Sequence, residues 1–407
     1  MKLLSKNSFG YDFLTAIVIS VCFSSFIYLE HFDMTYRVIN SVTALLAFTL
    51  LLHVRGRAIL IAGFLIGLLW FYWIGYSFKY YHVAYMTPII TIGFGFVYML
   101  FFGVLALTKK IWLRAVFLFV LSFIEPFDYN WMVVELPFVD SYFGIQKWQF
   151  ALILAALSIA LTCKDRVKYL SIIPLVAALN FSNTALIMPD IKIKLVPMDI
   201  AQELKWKPYM RSKINNFNLD SIDKAIDEGY DLVILPESAF ALFLNRHPDL
   251  IEALKERSMH IAIITGALYY EDGNNYNVTY LFQDGNQSIA KKMTLVPFGE
   301  YIPLPKFIKE YVNKTFFDGA SDYISADKPT DFTIKGVKFR NAVCYEATCE
   351  ELYEGEPKYM IAISNNAWFM PSIEPTLQKL LMRYFAKKHS TVIFHSANAA
   401  GTGIVKF

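Results

Sequence analysis

Three segments in the second half of the chain carry residues suited to acyl chemistry. In the first, the apolar run Leu232-Val-Ile-Leu breaks at Pro236-Glu237, leaving a carboxylate at the tip of an expected strand. Sheets of alternating strands and helices place their sites at such carboxyl ends; taken alone, Glu237 also reads as an ordinary helix cap or solvated side chain. In the second, Lys291-Lys292 leads into Pro297-Phe-Gly299-Glu300-Tyr301-Ile-Pro303. Two prolines and a glycine fix the backbone around Glu300, although lysines before an apolar stretch are usually solvated. In the third, an apolar strand ends at Cys344-Tyr345-Glu346. A buried, inert thiol is the common fate of cysteine, whereas a strand tip presents the thiol outward. Together the three supply a complete set. A thiol with pKa about 8.5 needs help to become a nucleophile. A glutamate can take its proton, and a lysine can hold the oxyanion formed on attack at a carbonyl, with the Tyr345 backbone N–H as a second donor.

The wording of these segments resembles the Glu–Lys–Cys triad of the carbon–nitrogen hydrolase (nitrilase) superfamily. In detail it is similar to the membrane branch, the apolipoprotein N-acyltransferases. Lys292 to Glu300 and Cys344 to Glu346 keep that family's spacing, and runs similar to Ser364-Asn-Asn366-Ala-Trp368-Phe369 and Ala397-Asn398-Ala-Ala-Gly401 also occur in it. The resemblance covers nearly the whole chain. It implies an αββα nitrilase-like sandwich after a multi-span helical membrane domain. It implies Glu237 as general base, Lys292 as oxyanion stabiliser and Cys344 as nucleophile, with Glu300 and Glu346 as supporting carboxylates and Tyr345 and Trp368 lining the pocket. The implied reaction moves an acyl chain from a phospholipid to Cys344, then to the α-amino group of a diacylglyceryl-cysteine on a lipoprotein. Two departures stand out. Position 366 is Asn where the family has Asp, and the chain reaches Phe407 before the strands and last helix with which the family continues.

Composition separates the elements that must position these residues. Hydrophobic residues are 56 % of the 407 and charged residues 18 %, against about 45–50 % and about 25 % in globular domains. Aromatics at 16 % exclude a disordered chain, four cysteines exclude a disulfide scaffold, and a net charge of +3 gives no reason to expect nucleic acid. The apolar excess is concentrated before residue 188. Spans are expected at 13–29, 38–54, 58–78, 83–107, 111–124, 148–163 and 169–187, a crossing needing about 20 residues. Span 111–124 is short and holds Arg114, expected to snorkel to an interface. Cations gather in alternate loops, at Arg55 and Arg57, at Lys109 and Lys110, and at Lys164, Arg166 and Lys168. With the N-terminus cytoplasmic, this bias puts residues 189–407 outside the cytoplasm, in the periplasm of a Gram-negative cell. The aromatic loop 125–147 reads either as an interfacial belt or as the wall of a lipid path.

Residues 189–407 read as an α/β domain. Strands are expected near 191–196, 232–235, 260–265, 276–282, 339–343, 359–364 and 391–395, with helices at 211–228, 249–258 and 375–388. Cys344 and Cys349 are expected to stay reduced, because a bridge between them would block the nucleophile. Seven histidines without ligand spacing and the lack of a Gly-rich phosphate loop lead to an expectation of no metal and no cofactor. The expected partners are a phospholipid donor, a diacylated lipoprotein acceptor and the bacterial inner membrane, with the chain a monomer. The alternatives are a membrane-anchored amidase or nitrilase-type hydrolase, in which water accepts the acyl group, and a transporter or receptor with a non-catalytic outer domain. Segment 305–323 reads equally as a lid or as a helix packed on the core, with Phe316 and Phe317 the substrate-contacting residues of the lid reading. Changing both to Ser is expected to weaken lipid turnover; unaltered turnover would remove the lid.

Overall fold

A computed structural model describes residues 8–181, 187–296, 300 and 323–406. The chain forms two compact units, Met1–Asn183 and Thr184–Phe407. The segments 297–299 and 301–322, which contain the expected lid with Phe316 and Phe317, lie outside the described residues.

The first unit is helical: α1 (Phe9–His31), α2 (Arg37–His53), α3 (Gly56–Phe71), α4 (Thr87–Gly103), α5 (Ile111–Leu121), α6 (Lys147–Thr162) and the short α7 (Ile172–Ala177). Among the described residues, three helical stretches are long and apolar enough to cross a bilayer: Phe9–His31, Gly56–Tyr81 and Ala84–Leu107. Helices α2 and α6 are shorter and also apolar. Val42 and Leu100 are 59 % and 68 % exposed, an outward apolar surface that lipid tolerates and water does not. Helices α3 and α4 touch backbone to backbone. A Cβ on Gly67 would lie 2.6 Å from the Phe94 carbonyl oxygen, and one on Gly63 equally close to that of Tyr98. Small residues permit such approach where lipid, rather than water, surrounds the helices.

Arg114 does not snorkel. It is buried, with Nε donating to the carbonyls of Leu105 (3.0 Å) and Thr108 (2.8 Å) and Nη1 to those of Leu52 (3.1 Å) and Val54 (2.6 Å). Helix ends leave their last carbonyls unpaired and carry partial negative charge, so the guanidinium caps the end of α2 and the turn after α4 together. The aromatic loop also turns inward in part. Trp131, Phe138 and Phe143 are buried, Phe138 stacking on Phe48 at 5.4 Å, while Phe127 and Tyr142 stay exposed. Buried Glu135 in the same loop pairs with Lys147 at 2.6 Å.

The second unit is a sandwich. One sheet contains β1 (Ile193–Leu195), β2 (Leu232–Ile234), β4 (Ala262–Glu271), β5 (Asn274–Gln283) and β6 (Asn286–Lys291) in that order, with β3 (Phe240–Phe243) on β4. The other runs β11 (Gly403–Val405), β10 (Val392–Asn398), β9 (Tyr359–Asn365), β8 (Val337–Val343), β7 (Asp331–Ile334). Side-chain alternation builds the layers. Leu232, Ile234, Ala262 and Ile264 meet Phe339, Val343, Ile361 and Phe394 between the sheets. Val233 and Ile263 point the other way, onto Ile214 and Ile222 of α9 (Arg211–Asp227) and Leu254 of α10 (Pro248–Ser258). Helix α11 (Glu374–His389) contacts β10 and β11. The order is therefore αββα, and β8, β9 and β10 run parallel, so their carboxyl ends share one edge.

The unexpected strands β3, β6, β7 and β11 are short or polar. Asn286, Gln287 and Ser288 of β6 are exposed, so no apolar alternation marks that strand. Arg114→Leu would strand four helix-end carbonyls; a loss of about 2–4 kcal/mol is expected, read as a lower melting temperature of the full chain in detergent. An unchanged melting temperature would contradict the capping role.

Candidate active site

Each expected triad residue stands at or just beyond a strand end. Glu237 follows β2 in a turn where Ser238 has φ +48°. The neighbouring strand β4 passes so close that a Cβ on Gly266 would lie 2.6 Å from Ser238 N and 2.7 Å from Glu237 Cα. Glycine is required there by space, not by its own backbone angle. Lys292 follows β6, its N–H donating to the Asn277 carbonyl at 2.9 Å and its carbonyl accepting from Ala326 N–H at 2.9 Å. Cys344 follows β8 with φ +56°, a backbone region that non-glycine residues seldom occupy and that clusters at functional sites.

Lys292 is 1 % exposed and pairs with Glu300 at 2.7 Å. Burial lowers the amine's pKa, but Glu300, Glu237, Cys344 and Glu346 outweigh it and raise the pKa above the ordinary lysine value. Glu300 is fixed in turn by Val296 N–H at 2.9 Å and Asn277 Nδ2 at 3.2 Å. The same amide nitrogen donates to Glu237 Oε1 at 2.8 Å, so Asn277 bridges two of the carboxylates around the lysine. Glu346, also buried, accepts from Met293 N–H (2.5 Å) and Thr294 N–H (3.0 Å) with Oε1 and from Val343 N–H (2.7 Å) with Oε2. It thereby ties the segment after Lys292 to the turn that carries Cys344. Burial pushes its carboxyl up to about 7, against Lys292 and those three backbone donors.

The Cys344 thiol is half-buried. Burial raises its pKa well above the usual value; Glu237 adds to the rise, and Lys292 opposes it. The resting thiol therefore keeps its proton, and a base must remove it during attack rather than beforehand. Gln378 Nε2 lies 3.8 Å from its sulfur. Cys349 is buried with its thiol donating to the Tyr345 carbonyl at 3.4 Å, and Cys344 and Cys349 are not bridged to each other. Tyr345 is buried in the turn after Cys344, and Trp368 is half-buried in the turn after β9. Asn366, the departure from the family's Asp, donates to Gln378 Oε1 (3.1 Å) and the Ala400 carbonyl (2.9 Å). Both use amide N–H groups that a carboxylate would lack.

Several participants carried no sequence signal. Lys205, at the end of α8 (Gln202–Lys205), is 1 % exposed and donates to the Glu237 carbonyl at 3.0 Å. Burial pulls it down to about 7, with the Glu237 charge opposing. Its surroundings in sequence are polar, without apolar periodicity. Asn277 was more accessible, as a polar residue inside the strand pattern 276–282. Among the described residues, no cluster of His, Cys, Asp and Glu could hold a metal.

Glutamate, lysine and cysteine at the strand ends of an αββα sandwich, in a chain that also carries a helical membrane unit, define a membrane-bound enzyme of the carbon–nitrogen hydrolase superfamily. Residues 11–181 match the apolipoprotein N-acyltransferase integral membrane domain, and residues 204–402 match carbon-nitrogen hydrolase. Three apolipoprotein N-acyltransferases are similar over most of their length. That of Wolinella succinogenes is 44 % identical over 95 % of this chain and 94 % of its own. That of Helicobacter hepaticus is 39 % identical over 84 % and 87 %, and that of Campylobacter jejuni 34 % over 98 % and 90 %. The chain belongs to the apolipoprotein N-acyltransferase family.

The edge of the site is held by a histidine that must remain neutral. His395 is fully buried, Nδ1 lying 2.9 Å from the Gly401 carbonyl and Nε2 2.8 Å from Ser364 Oγ. These partners fit a proton on Nδ1 and an acceptor at Nε2. Burial lowers its pKa to about 4, partly offset by the bond to Gly401. The unfolded chain takes up this proton near pH 6.5, so its stabilisation is complete above 6.5 and fades as pH falls towards 4, by about 3 kcal/mol. His395→Asn is expected to flatten the melting temperature of the full chain between pH 6.5 and 4. An equally steep profile in the variant would exclude His395 as the source.

Proposed function

We propose that this protein transfers an acyl chain from a phospholipid, through a thioester on Cys344, to the α-amino group of a diacylated lipoprotein. Glu237 removes the thiol proton as sulfur attacks the ester carbonyl. Lys292 and the Tyr345 backbone N–H stabilise the oxyanion. Collapse breaks the ester bond, and the proton on Glu237 passes to the departing lysophospholipid oxygen. In the second half, the acceptor amine attacks the thioester and Cys344 leaves as a thiol. Glu300 and Glu346 keep Lys292 charged and in place, and Trp368, Phe316 and Phe317 contact substrate. The reading takes residues 1–188 as the membrane domain, with about seven spans, and 189–407 as a catalytic domain on the periplasmic side of the inner membrane. The protein acts as a monomer.

The observation that carries this reading is the buried Lys292–Glu300 pair, joined through Asn277 to Glu237 and through Glu346 to the turn that bears Cys344, in a chain of this family. The membrane unit suits the substrates. Drawing a sixteen-carbon chain into water costs on the order of 10 kcal/mol at about 0.8 kcal/mol per CH₂, a term absent when the enzyme resides in lipid. A hydrolase acting on small amides gains nothing from such an anchor.

The full chain and its Cys344→Ala variant are to be incubated with phospholipid and a diacylated lipopeptide, and the products weighed. A gain of one acyl chain on the lipopeptide, with wild type only, is expected. Free fatty acid without lipopeptide gain would indicate the hydrolase, and the lack of any thioester on Cys344 would remove both.

A further inference from the structure

Helix α11 begins with a carboxyl group that the scheme above does not use. Glu374 is 1 % exposed, and its Oε2 has no hydrogen-bond partner among the described residues. It lies within electrostatic reach of Glu237, which acts on it, and of Cys344, on which it acts. Burial, and then the Glu237 charge, push its carboxyl well above the ordinary range. One turn further along the helix, Gln378 reaches the Cys344 sulfur at 3.8 Å. Residues four apart share a helix face, so the face that meets the nucleophile also carries Glu374.

A buried carboxyl oxygen without a partner is costly to leave unpaired, and Lys292 is already committed to Glu300 at 2.7 Å. Of the two substrates in the proposed reaction, the phospholipid ester brings no N–H to the acyl carbon. The acceptor does: an α-amino group has pKa about 7.7–8.0 and arrives largely as ammonium.

We propose that Glu374 is the docking group for the acceptor's α-amino group, its free oxygen accepting an N–H and holding the nitrogen beside Glu237 and the Cys344 thioester. The inference rests on the acyl-transfer reading and assigns it an acceptor subsite. The docked ammonium gives one proton to the Glu237 carboxylate and becomes a neutral amine. Nitrogen then bonds to the thioester carbon, and the oxyanion forms against Lys292. As the C–S bond breaks, the second proton on nitrogen passes to sulfur and restores the Cys344 thiol. The proton on Glu237 leaves to solvent after the amide departs, so each transfer releases one proton overall.

The test separates the two half-reactions in the full-length protein, using wild type, Glu374→Ala and Glu374→Gln. Each is loaded with acyl chain from phospholipid, and the Cys344 thioester is followed by mass spectrometry. Its decay is then timed with a diacylated lipopeptide and, separately, with hydroxylamine, a small neutral nucleophile that needs no ammonium subsite. For Glu374→Ala the lipopeptide reaction is expected to slow at least tenfold more than the hydroxylamine reaction, with a higher lipopeptide KM. Glu374→Gln, which keeps an acceptor oxygen, is expected to recover most of the difference, and it carries the comparison if the Ala variant does not load. Equal slowing with both nucleophiles, or no slowing with either, would overturn the subsite alone. A wild type that never forms the thioester would overturn the acyl-transfer reading together with it.

Discussion

The buried charge of Lys292 is the constraint around which the catalytic unit is arranged. An unpaired ammonium removed from water is penalised by several kcal/mol, and only close carboxylates and hydrogen bonds repay that. Glu300 supplies the contact at 2.7 Å. Glu300 holds its place through Val296 and Asn277, and Asn277 also fixes Glu237. The ends of β2 and β6, the middle of β5 and the segment bearing Glu300 are therefore positioned by one cation. Glu346 extends the arrangement to the second sheet, because its two oxygens join the backbone after Lys292 to the backbone before Cys344.

This arrangement has a chemical consequence. Acids crowded around one lysine stabilise its charge, and they discourage a second negative charge at sulfur. The thiol is consequently not stored as thiolate. Its proton must move to a carboxylate as the carbonyl is attacked, when negative charge passes to an oxygen that Lys292 can hold. Gln378, itself held by Asn366, meets the sulfur with an uncharged amide, and buried His395 is held by Ser364 and Gly401. Burial excludes water from the network, so each missing partner would be felt.

The membrane unit meets the same physics with other means. With an apolar surface outward, close helix contact comes from glycines 63 and 67 against the backbone of α4, and buried charge meets polar partners. Arg114 donates to four helix-end carbonyls, and Glu135 pairs with Lys147. An expectation of snorkelling treats an arginine as an isolated side chain. It cannot see that two chain segments 50 to 60 residues apart present unpaired carbonyls to the same point.

Much of the architecture was legible in the amino-acid sequence. The apolar concentration before residue 188, the strand runs near 232, 276, 339, 359 and 391, and the helices near 211, 249 and 375 all follow from local hydrophobic period, which a chain carries wherever it folds. The strand-tip positions of Glu237 and Cys344 follow from the abrupt change from apolar to polar residues. Lys205, Asn277, Glu374 and Gln378 were not legible as a group, because 173 positions separate Lys205 from Gln378 and each alone resembles an ordinary polar residue. Strands β6 and β7 were missed for a related reason, since exposed or short strands at a sheet's margin need no apolar alternation. Local pattern thus determined the elements and the ends at which chemistry could occur. Only tertiary structure decided which polar groups would be buried together, since the energy of a buried charge depends on its neighbours in space and not in sequence.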